Sequence, residues 1–366
     1  MNEVDRTALI TAFIRVFEEG TGHPAAAKIE MDVVIDPKDR FNRLDALLRV
    51  QSSGGELHIA VNVMKTAFPR DMRQAVWILE QYRRAKGNDD CILMVIAQYL
   101  SPGARSILRE HGVGYYEASG SLYLRYGSSL MDIQRKAEKR PAPHITSIFT
   151  GAREQVIHCL LNSTRWQRDE WLTGSEIAEL AQTSGFTVSQ TLSELERLEW
   201  VASQGGGRSF RRQVIRPGNL LDAWADVWRT RKVQRTSWYL YTARPELLPR
   251  AITEKLNAEG LEDWALTGAA AANMLAPLLT SVQTADLIVP PGMTSRYVAA
   301  LGLEPADTGI NVRITEADGA APLFRELHSE SNISVASPFI QYLDLQDGRG
   351  RNKELAAHLR ETVLKI

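Results

Sequence analysis

Between residues 151 and 216, three short helical stripes are followed by two strands joined at a glycine-rich tip, an order that few small folds accommodate. The first stripe runs over Ala152–Leu161, with Val156, Ile157, Leu160 and Leu161 apolar. The second opens at Thr173-Gly174-Ser175-Glu176, the spacing of a capping box, and carries Ile177, Leu180 and Ala181 inward. Thr183-Ser184-Gly185-Phe186 reads as a short turn. The third helix is expected from about Thr187 to Trp200, with Val188, Leu192, Leu195 and Leu198 as its inner stripe. Val201–Ser203 and Ser209–Ile215 then read as two strands joined through Gln204-Gly205-Gly206-Gly207-Arg208.

Three helices followed by a basic hairpin is the order of a winged helix-turn-helix, placed here at residues 148–218. Such a unit needs one face of its third helix in the core and the opposite face polar and slim enough for a DNA major groove. With Val188, Leu192 and Leu195 inward, the outward face holds Ser189, Gln190, Ser193 and Arg197. Glutamine can pair with adenine edges, arginine with guanine or phosphate, and serine with base or phosphate. Arg208, Arg211 and Arg212 would carry the hairpin to the flanking backbone. Glu194, Glu196 and Glu199 make the third helix itself acidic, so phosphate contact should come largely from the hairpin and from residues 229–235.

The charge distribution agrees. The 366 residues sum to −1, yet residues 125–235 carry +5 and residues 236–366 carry −5. Within 201–235 the net is +6, the clustering expected where phosphates are met.

The first 140 residues form a separate α/β pattern. A helix over the first ~20 residues carries Leu9, Phe13, Val16 and Phe17, and Gly20-Thr21-Gly22-His23-Pro24 should end it. Strands are expected at Leu44–Val50, Leu57–Val63 and Cys91–Ala97. The last is apolar throughout, as a strand covered on both faces would be. Helices fall at Arg70–Arg84 and Pro102–His111, and a strand pair at Tyr115–Glu117 and Leu122–Leu124. This order resembles the restriction-endonuclease-like fold. A catalytic version would hold a divalent cation on an acidic residue of the first strand and on a second one two positions before a lysine. Asp45 suits the first place. Two residues before Lys65 stands Val63, and the neighbouring polar residue is Asn62, so the expectation is a nuclease-like scaffold that is catalytically inactive. The alternatives are a metal-dependent nuclease using Asp45 and Lys65, and a protein-interaction adaptor.

Lys139-Arg140-Pro141-Ala142-Pro143-His144 reads as a linker. Residues 219–366 return to α/β. Strands are expected at Trp238–Tyr241, Ala285–Val289, Val312–Ile314 and Ser334–Ala336, and helices at Pro245–Ala258, Ala269–Met274 and Asn352–Leu364. Trp224 and Trp228, on a helix over Leu220–Lys232, read as core.

Cys91 and Cys159 sit in apolar runs and look like buried thiols of a reducing compartment. The seven histidines show no metal-ligand spacing, so no metal or cofactor is expected. The N-terminus lacks the apolar core of a signal peptide and no run reaches transmembrane length, so a cytoplasmic location without membrane contact is expected.

Four stretches resemble one family: Gly112–Leu124 (GVGYYEASGSLYL), the 148–218 segment, Trp264–Ala271 (WALTGAAA), and Gln341–Leu345 with Gly348-Arg349-Gly350. Together they resemble AbiEi-type transcriptional regulators, the antitoxin side of type IV toxin–antitoxin pairs. The resemblance implies a DNA-binding repressor of its own operon, acting on double-stranded DNA. It also implies a C-terminal domain that opposes a nucleotidyltransferase-like toxin without requiring a stable complex. The expected molecule is therefore a mixed α/β, multidomain chain with a nuclease-like domain (1–140), a winged helix-turn-helix (148–218) and a C-terminal α/β regulatory or antitoxin-like domain (219–366).

Overall fold

The computed structural model describes residues 3–21, 27–36, 39–52, 55–87, 90–127, 129–135, 148–166, 171–207, 210–231 and 233–366. The expected linker at 139–144 and the helix stop at Gly22-His23-Pro24 lie outside them. The chain divides into two compact units, Met1–Pro143 with Glu196–Glu199, and His144–Leu195 with Trp200–Ile366. Both mix helix and sheet, the expected fold class at its coarsest.

The first unit is built on a seven-stranded sheet whose spatial order follows the chain: β1 (Ala27–Asp36), β2 (Asp39–Ser52), β3 (Gly55–Ala67), β4 (Ile92–Leu100), β5 (Gly114–Glu117), β6 (Leu122–Tyr126) and β7 (Ser129–Ile133). Only β3–β4 and β4–β5 pair in parallel, because α2 (Pro69–Lys86) and α3 (Pro102–Glu110) supply those two crossovers. The remaining pairs are antiparallel. Strand β4 is covered on both sides, as its unbroken apolar run requires. Ile92, Met94 and Ile96 meet Ile10, Phe13 and Phe17 of α1 (Glu3–Thr21), while Leu93, Val95 and Ala97 meet Met72, Leu79 and Leu108 of α2 and α3. Ser101 caps α3 by accepting a hydrogen bond from Ala104 N at 3.2 Å, with Pro102 at the first helical position.

Strands β1 and β7 were not expected from the sequence. β1 is an edge strand that carries Lys28, Glu30 and Asp32 among its apolar residues, and its side chains from 27 to 34 are exposed or half-buried. Charge on an edge protects it from further pairing but dilutes the apolar signal.

The second unit contains two sheets. A three-stranded one runs β8 (Leu172–Thr173), β10 (Arg211–Val214), β9 (Val201–Gln204), all antiparallel. It accompanies three helices, α4 (Gly151–Trp166), α5 (Gly174–Leu180) and α6 (Gly185–Arg197). Then follow α7 (Pro217–Thr230), β11 (Arg235–Tyr239), α8 (Leu248–Ala258), β12 (Ala265–Thr267), α9 (Gly268–Leu275), β13 (Ala285–Val289), α10 (Thr294–Leu301), β14 (Glu304–Pro305) and β15 (Val312–Glu316). The chain ends with α11 (Ala320–Leu323), β16 (Arg325–Leu327), β17 (Ser334–Ala336), α12 (Pro338–Asp344) and α13 (Asn352–Leu359). Their sheet has the order β14-β11-β15-β13-β12-β17-β16, so sequence neighbours are rarely spatial neighbours. Its core gathers Leu248, Ile252, Trp264, Leu266, Leu287, Tyr297 and Ile314.

Cys91 and Cys159 are not disulfide-bonded and both are buried. Among the described residues, no helix is long and apolar enough to cross a membrane.

Candidate nucleic-acid interface

The capping box at Thr173 forms. Thr173 Oγ1 accepts from Glu176 N at 3.3 Å, and Glu176 Oε2 accepts from Thr173 N at 2.7 Å. The same Thr173 belongs to β8 and pairs with Arg211 of β10, so one residue starts α5 and holds the hairpin. At the opposite end of α5, Leu180 is 55% exposed, against the expectation that it points inward. Helix α5 stops at Leu180, and buried Ile177 and Ala181 fill the inward positions instead.

Helix α6 starts two residues earlier than expected. Ser184 Oγ accepts from Thr187 N at 3.1 Å, and Ser184 O accepts from Val188 N at 3.1 Å, which draws Gly185 and Phe186 into the helix. Val188, Leu192, Leu195 and Leu198 are buried, together with Thr191, whose hydroxyl donates to Thr187 O at 2.8 Å. Ser189, Gln190 and Ser193 are exposed, as their place opposite that stripe requires. Ser193 Oγ donates to Ser189 O at 2.9 Å and can still accept. Arg197 is half-buried and falls in the stretch that groups with the first unit.

The acidity of α6 is confined to its second half. There is no acid in its first turn, and Glu194 accepts from Arg153 Nη1 of α4 at 3.1 Å. An ion pair on that carboxylate weakens the repulsion it would exert on phosphate.

In the hairpin, Gly205 and Gly207 hold φ of +84° and +58°, a left-handed tip that side chains with a Cβ resist. Arg208 lies outside the described residues. Arg211 is exposed and donates through Nη1 to Trp171 O at 2.9 Å. Arg212 is half-buried, its guanidinium 3.9 Å over the Phe210 ring.

The arginines at 229–235, expected at phosphates, are placed differently. Arg231 bonds Glu154 Oε1 at 2.5 Å and Phe149 O, and lies 4.4 Å over the Trp228 ring. Arg229 pairs with Asp226, and Arg235 approaches Asp347 at 4.0 Å. Glu154 is 1% exposed, and its carboxyl is pushed up by burial while Arg231 and Trp224 hold it down. Trp224, fully buried, donates to the same Glu154 Oε1 at 2.9 Å, consistent with the core role expected of it. Arg229, Arg231 and Arg235 line a cleft of 740 Å³ shared with Glu154, Asp344 and Asp347.

Two of the stretches that resemble the family meet beside this cleft, at Asp344 of its lining. Thr267 Oγ1 and Trp228 Nε1 donate to Asp344 at 2.5 and 3.0 Å, and loss of hydration raises the Asp344 carboxyl to about 6. Arg349 pairs with Asp286 at 3.4 Å, and Gly268, at φ +64°, passes so close that a Cβ would stand 2.6 Å from Asp286 Oδ2. The Gly112–Leu124 stretch is explained within the first unit. Glu117, 2% exposed, accepts from Leu100 N at 3.1 Å, from Ser119 Oγ at 3.1 Å and from Arg105, fixing the end of β4 to β5.

Asp45, the residue weighed as a metal ligand, accepts from Arg6 Nη1 at 3.0 Å and from Val63 N at 2.7 Å. Asn62 is buried and Lys65 exposed. Among the described residues no group of three His, Cys, Asp or Glu is placed to hold a metal ion.

No curated protein and no solved structure matches the chain. Residues 213–365 match the family model described as transcriptional regulator, AbiEi antitoxin, type IV TA system, and this region is similar to that family.

Proposed function

We propose that residues 148–218 form a winged helix-turn-helix that binds double-stranded DNA, and that the chain regulates transcription of its own operon as an AbiEi-type antitoxin. The observation that carries this is the surface of α6, where Ser189, Gln190 and Ser193 are exposed opposite a buried apolar stripe and the neighbouring Glu194 is already paired. The family match begins at Gln213 inside β10, so the DNA-binding role rests on that surface. Gln190, Ser189 and Ser193 read base edges. Arg211, Arg212 and Arg208 contact the backbone, and Arg197 contributes a base or phosphate contact from the far end of α6. Residues 219–366 form the regulatory domain that opposes a nucleotidyltransferase-like toxin, and the protein acts in the cytoplasm.

Residues 1–140 serve as a restriction-endonuclease-like scaffold without cleavage activity. Hard cations draw much of their binding from anionic oxygens, and the carboxylate of Asp45 is already occupied by a guanidinium and an amide. Purified protein supplied with magnesium or manganese is expected to leave single- and double-stranded DNA intact. Metal-dependent cleavage that disappears in a folded Asp45→Ala variant would make the chain an enzyme. The DNA-binding role is tested by titrating the full chain against a duplex of its own upstream region and a random duplex. Tighter binding to the former is expected, and no binding to either at low salt would favour a protein-interaction adaptor.

A further inference from the structure

Phe186 is 75% exposed, among the most exposed large apolar side chains of the described residues, although it lies inside α6. At about 100° per residue it shares a stripe with Gln190 and Ser193, at i, i+4 and i+7. Its sequence neighbours on that surface are polar: Ser184 and Ser189 are exposed and Thr187 is half-buried. No acid stands in the first turn, and exposed Arg211 belongs to the same unit.

From this arrangement we infer that Phe186 is a specificity residue that packs on the 5-methyl group of a thymine in the major groove, an inference that rests on the DNA-binding role proposed above. An isolated phenyl ring on a polar stripe with no acid in its first turn fits a surface that is itself mostly polar and anionic with single apolar points. In the major groove the thymine methyl is that apolar point. Recognition helices meet base edges with their N-terminal residues, and Phe186 is the second residue of α6. Gln190 lies one turn further on, about 6 Å along the axis, close to two base-pair steps. The thymine touched by Phe186 and the adenine paired with Gln190 should therefore lie within about two base pairs of each other.

The test begins by enriching duplexes from a random pool with the full-length chain and then resynthesising the best of them with deoxyuridine for every thymidine, which removes the methyl groups and preserves pairing. Withdrawing one methyl group from water corresponds to about a fourfold change in affinity. The wild-type chain should bind the deoxyuridine duplex about fourfold more weakly or worse. Phe186→Ala should bind the thymidine duplex more weakly and no longer distinguish the two, with an unchanged salt slope. Because Phe186 is exposed, its replacement should leave the fold intact, which circular dichroism checks, and Phe186→Leu should retain part of the discrimination. A folded Phe186→Ala chain with the wild-type ratio, or a wild-type chain indifferent to the methyl groups, would overturn the assignment while leaving DNA binding in place. Failure to enrich or bind any duplex at low salt would remove the DNA-binding role and this inference with it.

Discussion

Two groups of arginine in one basic stretch meet different fates. Arg211 stands exposed on β10 and Arg212 lies over Phe210, whereas Arg231 is closed onto a nearly fully buried carboxylate and Arg235 faces Asp347 across a cleft. On a count of charge the two are indistinguishable. What separates them is Glu154, 77 residues earlier in the chain, which α4 carries under the end of α7. A run of positive charge is therefore no guide by itself to a phosphate-facing surface, because the fold can close an arginine onto a carboxylate.

The largest expected effect breaks the comparison at its buried end. Arg231→Met should strand Glu154 without its cation and cost about 3–5 kcal/mol. Chemical denaturation of the full chain would read this, and Arg211→Ala in parallel should move the midpoint little. Equal small losses would mean that the Arg231 pair is no more structural than a surface one.

The cleft lined by Arg235 makes a pH-dependent claim. Asp344 has a folded carboxyl near 6 against an ordinary 3.8, so the fold favours its protonated form. That stabilisation is present below about 3.8 and is lost as pH rises through about 6. His158 acts in the opposite sense. It is fully buried and stacked 3.8 Å from Phe324, and burial lowers its imidazole to about 3, so its contribution is lost as pH falls below about 6.5. The difference in Tm between Asp344→Asn and wild type removes the His158 part, and it should move in favour of the variant from about pH 4 to about pH 7. A flat difference would show that the Asp344 carboxyl titrates normally.

At the exposed end, Gln190→Ala should cost about 1–3 kcal/mol on an enriched duplex and little on random DNA. Equal losses on both would assign Gln190 to the backbone. The smallest effect sharpens the role of β10. Arg211→Ala with Arg212→Ala should flatten the dependence of log affinity on log salt by about one to two units. An unchanged slope would take the hairpin out of the interface.

Legibility varied with the range of the signal. The Cys91–Ala97 run announces a strand covered on both faces because every position needs an apolar partner. The Thr173–Glu176 box and the Val188–Leu198 stripe are visible because capping and helical periodicity act over three or four residues. Phe186 reads locally as part of a turn, because Ser184 and Gly185 precede it, whereas the Ser184 cap and its spacing from Gln190 place it on the outward stripe of α6. Strand β1 was hidden by the charges of a solvated edge, and α12 by a run whose seven residues are nearly all buried, Asp344 alone being half-buried, which leaves little amphipathic contrast.

By itself, then, the sequence determined most of the local elements: the capped and amphipathic helices, where α5 and α3 begin, which stripe of α6 is buried, and where the cation charge concentrates. Those follow from periodicity, capping and composition, whose causes lie within a few residues. Only the tertiary structure decided which charges are spent inside the protein. Asp45 meets Arg6, Glu154 meets Arg231, and Thr267 meets Asp344 across separations of 39, 77 and 77 residues. Ion pairs and buried hydrogen bonds depend on distances of a few ångströms, and sheet order sets those distances without any trace in local spacing.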